Sequence, residues 1–365
     1  MMKKLLSLLL ILSLAGALCA CGGKTTTSSS VSATAARVTQ PDRLAQIVAR
    51  HRFEGVVTVM RGGTKLGESA TGIADPQTGR QTTIDSLFCV GSLSKQFCAA
   101  AVLLLQERGM LSVDDTLGAY FPDCPYGDRV TLRQMLNMCS GIAEFYETVP
   151  DGHNINELPI DILRDTVTND GTKEDNRDLL QQWLFEQPLG FEPGSAVIYS
   201  NSNYFLLARM VEQVSGTPYE DFLRENIFRP LGMTSTGFID DMLDDPRLAK
   251  NAREAQTVYV SITMGLGDLV TDAADMERWL GSFFDNRLLS SESVAMMTDP
   301  GAGGYGFGVV PAGSGSWYHT GIFTSYSAFD YVDPQKKAFA FAVTNNQSTM
   351  PYGVADMCYE LLAEA

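Results

Sequence analysis

Hydrophobic positions follow a helical rhythm in the middle of this chain and a strand rhythm at both ends. Over 42–52, Leu44, Ile47 and Val48 recur at helical spacing behind Pro41, which predicts a helix. Residues 55–61 and 65–73 read as two strands joined by Gly62-Gly63. The next strong element covers 92–108, very apolar from Phe97 through Leu105, with Gly109 as its stop. Helices are also predicted over 131–138, 203–214 (closed by Gly216) and 273–284, where Met276, Trp279, Leu280 and Phe283 share a face. The character then returns to strand at 306–310, 316–320, 325–332 and 338–344, with a turn at Asp333-Pro334 and a closing helix over 351–362. Strands at both ends and helices between them predict an α+β architecture. One sheet is built from both termini, and a mostly helical lobe is inserted. A cleft between two such parts is a natural place for a site. Residues 147–178 are polar and acidic and read as a surface excursion near that cleft.

Composition narrows the function. With 365 residues the chain can bury a large core. A formal charge of -16 argues against nucleic acid or anionic lipid as a partner. Lys3 and Lys4 followed by an apolar run over 5–14 read as an export signal. The run is shorter than the roughly 20 apolar residues a membrane span needs. Leu18-Cys19-Ala20-Cys21 resembles a bacterial lipobox, which implies cleavage after residue 20 and a lipid on Cys21, with simple secretion as the other reading. Residues 21–40, rich in Ser and Thr without an aromatic ring, then form a tether, and 41–365 the catalytic body. The expected location is the outer face of the cytoplasmic membrane. Cys89, Cys98, Cys124, Cys139 and Cys358 are too scattered for a disulfide framework and read as buried thiols, though one bridge stays open. Three histidines without metal-ligand spacing leave no metal and no cofactor expected.

The chemistry lies in three short runs. Ser92-Leu93-Ser94-Lys95 opens a helix, where positions three apart share a face, so the Lys95 amine can reach the Ser92 hydroxyl. The helix start adds free N–H groups favourable to negative charge, and a serine needs such a neighbouring base. Read blandly, Ser92 is an N-cap and Lys95 a surface charge. Tyr199-Ser200-Asn201 adds a phenol to share proton transfer with Lys95, and an amide to orient substrate and hold the lysine. His319-Thr320-Gly321 follows a strand-like stretch and supplies a ring cation donor. The backbone N–H of Ile322 is nominated to join that of Ser92 in an oxyanion hole. Gly301-Ala302-Gly303-Gly304-Tyr305-Gly306 fits a dinucleotide fingerprint, but it lacks the preceding strand and following helix and reads as a turn.

In order, the three runs resemble the serine β-lactamase and penicillin-binding protein superfamily, in its class C β-lactamase and D-alanyl-D-alanine carboxypeptidase branch. The similarity extends over about 53–362. It includes "LRQMLNMCSGI", "FEPGSAVIYSNSNYFLLARMVEQVSGTPY", "IFRPLGMTSTGF", "GLGDLVTDAADM" and "YGFGVV". It implies a β-lactamase/transpeptidase-like fold with an antiparallel sheet and an acyl-enzyme on Ser92. Lys95 and Tyr199 would be proton carriers, and Asn201, His319, Thr320 and Gly321 substrate contacts. The implied substrate is a small molecule or peptidoglycan peptide, with a D,D-peptidase or related amide or ester hydrolase expected. A penicillin-binding sensor or slow β-lactamase is the alternative, and a non-catalytic scaffold a third.

Departures bear on the pocket. Asn137-Met138-Cys139-Ser140-Gly141 stands where relatives often carry His-Thr-Ser-Gly, and Ile322 and Ser325 where many carry glycine. His319 replaces the lysine typical of true β-lactamases. An unperturbed histidine titrates near ~6.5. Lysine at 319 is therefore expected to speed acylation by carboxylate-bearing β-lactams.

Overall fold

The computed structural model describes residues 40–145, 173–250, 261–301, 303–346 and 351–364. The expected export signal and most of the expected tether, 1–39, lie outside the described residues. Most of the polar stretch, 147–172, lies outside them as well.

The chain's two ends meet in one antiparallel sheet of 6 strands. Its order is Thr64–Thr71, Gly55–Arg61, Ala338–Thr344, Tyr326–Asp333, Ser316–Phe323 and Val310–Gly313. Gly55–Arg61 pairs with Ala338–Thr344 in the register Val56↔Val343, Thr58↔Phe341, Met60↔Phe339. All of Ala338–Thr344 is buried, because this central strand is covered on both faces and so carries an unbroken apolar run rather than an alternating one.

Helices Gln40–Arg50 and Pro351–Glu364 cover one face, where Leu44, Ile47 and Val48 meet Val57, Val59, Ala342, Val354, Met357 and Cys358. The opposite face receives helices Ser94–Glu107 and Ala273–Gly281, and helix Asn201–Ser215 packs on Ser94–Glu107. There Phe97 stacks on Trp279 with ring centroids 4.0 Å apart. The mostly helical middle of the chain therefore forms the second part of the molecule, as its periodicity predicts.

Several boundaries differ from the sequence reading. The α-helix starts at Ser94, not residue 92. Ser92 sits in the 3-10 turn Gly91–Leu93 that leads into it. The helix expected from 203 begins at Asn201, capped by the Ser200 hydroxyl and closed by Gly216 at φ 68°. Residues 306–309 form a tight loop instead of a strand, with Gly306 N–H donating to Val309 O at 2.9 Å. The strand begins only at Val310. The end of the supposed excursion is helical, Lys173–Glu186, and buries Leu180 and Leu184 among polar neighbours. Among the described residues the five cysteines 89, 98, 124, 139 and 358 are all free thiols.

One buried acid gives the fold a pH dependence. Asp268 is 3% exposed, and one of its carboxylate oxygens finds no hydrogen-bond partner among the described residues. Burial, reinforced by the charge of Glu220, pushes its carboxyl up to about 7. The unfolded chain releases that proton near ~3.9, so the folded state holds it across the window between the two values. This group's contribution to stability is greatest at the acid end, falls as pH rises through the window, and levels off above it. Asp268→Asn is expected to raise the urea midpoint relative to wild type at pH ~8 and far less at pH ~5, by on the order of 2 kcal/mol between them. Parallel shifts at both pH values would remove Asp268 as the source.

Candidate active site

Ser92 stands half-buried at the head of the apolar helix, and Lys95 one turn on is fully buried at 0% exposure. Burial of a lysine demands acceptors for its protons. Lys95 Nζ donates to Ser92 Oγ at 3.1 Å, to Asn201 Oδ1 at 2.7 Å and to the Leu266 carbonyl at 2.9 Å. The bland reading of Lys95 as a surface charge is therefore excluded. The amine also lies 4.8 Å from the centre of the Tyr199 ring. Nucleophile, amine, phenol ring and amide, drawn from segments about 100 residues apart in sequence, thus share one crevice.

Asn201 is held from both sides. Its oxygen faces Lys95, and its Nδ2 donates to Glu144 Oε1 at 3.2 Å. The segment that departs from His-Thr-Ser-Gly backs this loop. Met138 Sδ accepts from Ser200 N–H at 3.2 Å, and Ser140 Oγ donates to Asn203 Oδ1 at 2.6 Å.

The third run lies on the strand Ser316–Phe323, which passes directly beside the nucleophile turn. A Cβ on Gly321 would lie 2.0 Å from the Val90 carbonyl, and one on Gly91 would lie 2.8 Å from the Ile322 nitrogen. The backbone nominated for an oxyanion hole is thus placed against the residue preceding Ser92. The Ile322 side chain is 56% exposed at this edge. Thr320 pairs with Phe329 on the neighbouring strand, and its carbonyl is taken by His319.

His319 is 3% exposed and differs from expectation in charge. Its Nδ1 lies 2.6 Å from Thr320 O, and a carbonyl can only accept, so Nδ1 carries the proton. Nε2 is then an acceptor and receives the Tyr305 hydroxyl at 2.8 Å. Burial, with the positive charge of Lys95 adding to it, pushes the imidazole down to about 3. The ring cation expected from sequence is corrected to a neutral imidazole whose two nitrogens are both engaged. A lysine at this position would put a second ammonium into the same desolvated space as Lys95, at a cost of several kcal/mol. The faster acylation expected from sequence for lysine at 319 assumed an open site, and burial beside Lys95 reverses it: His319→Lys is expected to slow acylation by carboxylate-bearing β-lactams about tenfold or more, measured as the labelling rate with a fluorescent penicillin. A faster variant would show that the ring leaves its pocket to meet substrate.

A second layer fixes the strand against the helix. Asp330 accepts from His319 N–H at 2.8 Å and from Gln96 Nε2 at 2.7 Å, while Gln96 Oε1 accepts from Trp279 Nε1 at 2.9 Å. Burial pushes the Asp330 carboxyl up to about 7, partly offset by these hydrogen bonds.

Sequence reasoning missed Glu144, Tyr305, Asp330 and the Leu266 carbonyl. A carbonyl acceptor carries no side-chain signal at all. Tyr305 sits inside the glycine-rich stretch that reads as a turn, where Gly304 N–H donates to Pro300 O at 2.8 Å, and the turn reading gave the tyrosine itself no role.

Comparison with known proteins identifies the family. Residues 41–364 match the family model described as Beta-lactamase. The chain is 29% identical to the putative penicillin-binding protein PbpX of Bacillus subtilis (strain 168), over 85% of this chain and 75% of that protein. It is 25% identical to the D-alanyl-D-alanine-carboxypeptidase/endopeptidase AmpH of Escherichia coli (strain K12), over 68% of this chain and 64% of that protein. The fold matches the crystal structure of a penicillin-binding protein from Bacillus halodurans with a TM-score of 0.73 at 21% identity, over 88% of this chain and 100% of the other. The chain belongs to the Beta-lactamase family of serine hydrolases.

Proposed function

We propose that Ser92 is the nucleophile of an acyl hydrolase that cleaves D-amino acid peptides, or related amides or esters, at the cell envelope. The observation that carries this reading is the Lys95 amine, fully buried and 3.1 Å from Ser92 Oγ, a distance suited to proton transfer. Ser92 Oγ attacks the substrate carbonyl as its proton passes to the neutral amine form of Lys95 or to the phenolate of Tyr199. The backbone N–H groups of Ser92 and Ile322 receive the developing oxyanion. The C–N or C–O bond of the tetrahedral adduct breaks, and the leaving group takes up the proton. Water then attacks the ester on Ser92, with the same groups moving its proton, and releases the acid. Asn201 and His319 shape the wall beside the reacting carbonyl. The relative named as a carboxypeptidase/endopeptidase supports a peptide substrate.

A hydrolysis panel of D-Ala-D-Ala peptides, D-amino amides, short esters and nitrocefin tests the reading. Intact-mass detection of the acyl-enzyme accompanies it, with Ser92→Ala as control. Turnover that is lost together with the acyl adduct in Ser92→Ala is expected. An adduct that persists in the variant would refute the assignment. Single turnover without steady-state release would favour the sensor.

The export signal and Cys21 support an exported, lipid-anchored protein, with the membrane as its partner through that lipid. Cys21→Ser is expected to move the protein from the membrane fraction to the medium.

A further inference from the structure

Glu144 lies outside all three runs, yet it is 3% exposed and surrounded by donors. Its Oε2 accepts the backbone N–H of Asn201 at 2.5 Å and of Ser202 at 3.2 Å, at the start of the helix Asn201–Ser215. Its Oε1 accepts from Asn201 Nδ2 at 3.2 Å. The Ser202 hydroxyl, which itself accepts from Phe145 N–H at 3.0 Å, lies 3.5 Å from Oε2.

We propose that Glu144 is a positioning residue for Ser92, whose carboxylate selects the one orientation of the Asn201 amide that presents oxygen to Lys95. The argument is one of hydrogen-bond polarity. A carboxylate accepts and cannot donate, so the Asn201 atom facing it must be the NH2 group. The oxygen is then turned to the opposite side, where Lys95 Nζ donates to it at 2.7 Å. With the amide reversed, two donors would face each other across that gap, and Lys95 would lose one of the contacts that hold it 3.1 Å from Ser92 Oγ. The carboxylate thus acts on the nucleophile through two intermediaries and never touches substrate. Helix capping alone would not require this, since backbone N–H groups are satisfied equally well by an amide oxygen.

The inference rests on Ser92 being the nucleophile, and the experiment separates the two. Full-length protein is labelled with a small fluorophosphonate, which carries no amide for Asn201 to contact, and the rate constant is measured. Glu144→Gln can offer its NH2 to the Asn201 oxygen and so reverse the amide. Labelling is expected to slow between about 10-fold and 100-fold, the rate equivalent of one lost charge-assisted hydrogen bond. Asn201→Asp alone sets two carboxylates face to face and is also expected to be slow. Combining Glu144→Gln with Asn201→Asp restores every donor to an acceptor and keeps one negative charge in the pair, so labelling is expected to be at least about fivefold faster than in either single variant. A purely structural role predicts no such rescue. Wild-type speed in a folded Glu144→Gln, or a double variant that is unfolded or no faster than Glu144→Gln, would overturn the proposal. If wild type and Ser92→Ala label alike, the fault lies with the nucleophile assignment rather than with Glu144.

Discussion

Lys95→Met is expected to slow acylation of Ser92 by about 10³-fold or more while the protein still folds, because positioned proton transfer contributes ~10²–10⁴-fold. Methionine keeps the length and most of the volume of the side chain. It removes the amine that donates to Ser92 Oγ, Asn201 Oδ1 and Leu266 O together. Two of these acceptors are buried, and leaving each without a donor costs about 1–3 kcal/mol. Removing a polar amine from a desolvated position offsets part of that loss. The rate should therefore fall much further than the stability. Stopped-flow labelling with a fluorophosphonate, run beside urea unfolding, separates the two effects. A rate within tenfold of wild type would remove Lys95 from proton transfer and leave Tyr199 as the remaining base.

Gly321→Ala should damage both stability and rate, for a steric reason. A methyl group there would lie 2.0 Å from the Val90 carbonyl and 3.0 Å from Leu93 Cδ1. Neither neighbour is free to give way. Val90 N–H is bonded to Leu269 O at 3.0 Å, and Leu93 is fully buried. The strand must move away from the nucleophile turn, taking the Ile322 backbone with it. Overpacking of this kind costs about 1–3 kcal/mol. A displaced oxyanion donor costs about 10²–10³-fold in rate. Gly67→Ala is the control, because its methyl would meet Leu44 Cδ1 at an ordinary 3.7 Å. Unfolding midpoints and labelling rates for the two variants should diverge sharply. Equal behaviour would mean that the strand and the Ser92 turn are not in the rigid contact described above.

The elements were legible in proportion to how regular their local pattern is. Gly55–Arg61 and Ala338–Thr344 have the boundaries that their apolar runs predict. The segment over 306–309 was misread because Phe307 and Val309 are buried by loop packing, which mimics strand composition without its pairing. Lys173–Glu186 was hidden by its charged first turns, since its inward apolar residues, Leu180, Trp183, Leu184 and Phe185, lie in its second half. At the candidate site, Ser92 and Lys95 were legible from their spacing of three, and Tyr199 and Asn201 from their side-chain types just before and at a helix start. His319 announced its position but not its charge. An imidazole's protonation depends on burial, on Lys95 and on Tyr305, none of which is adjacent to it in sequence.

Local sequence, then, was enough to determine the family, the strand-helix-strand order and the set of side chains that meet at the candidate site, since each follows from short-range spacing and residue type. Only the tertiary structure decided which way the Asn201 amide points, that His319 is neutral, and that Glu144, Tyr305 and Asp330 stand behind the reactive crevice. Hydrogen-bond polarity and desolvation are set by whatever atoms arrive from distant parts of the chain, and no pattern within a short window encodes them.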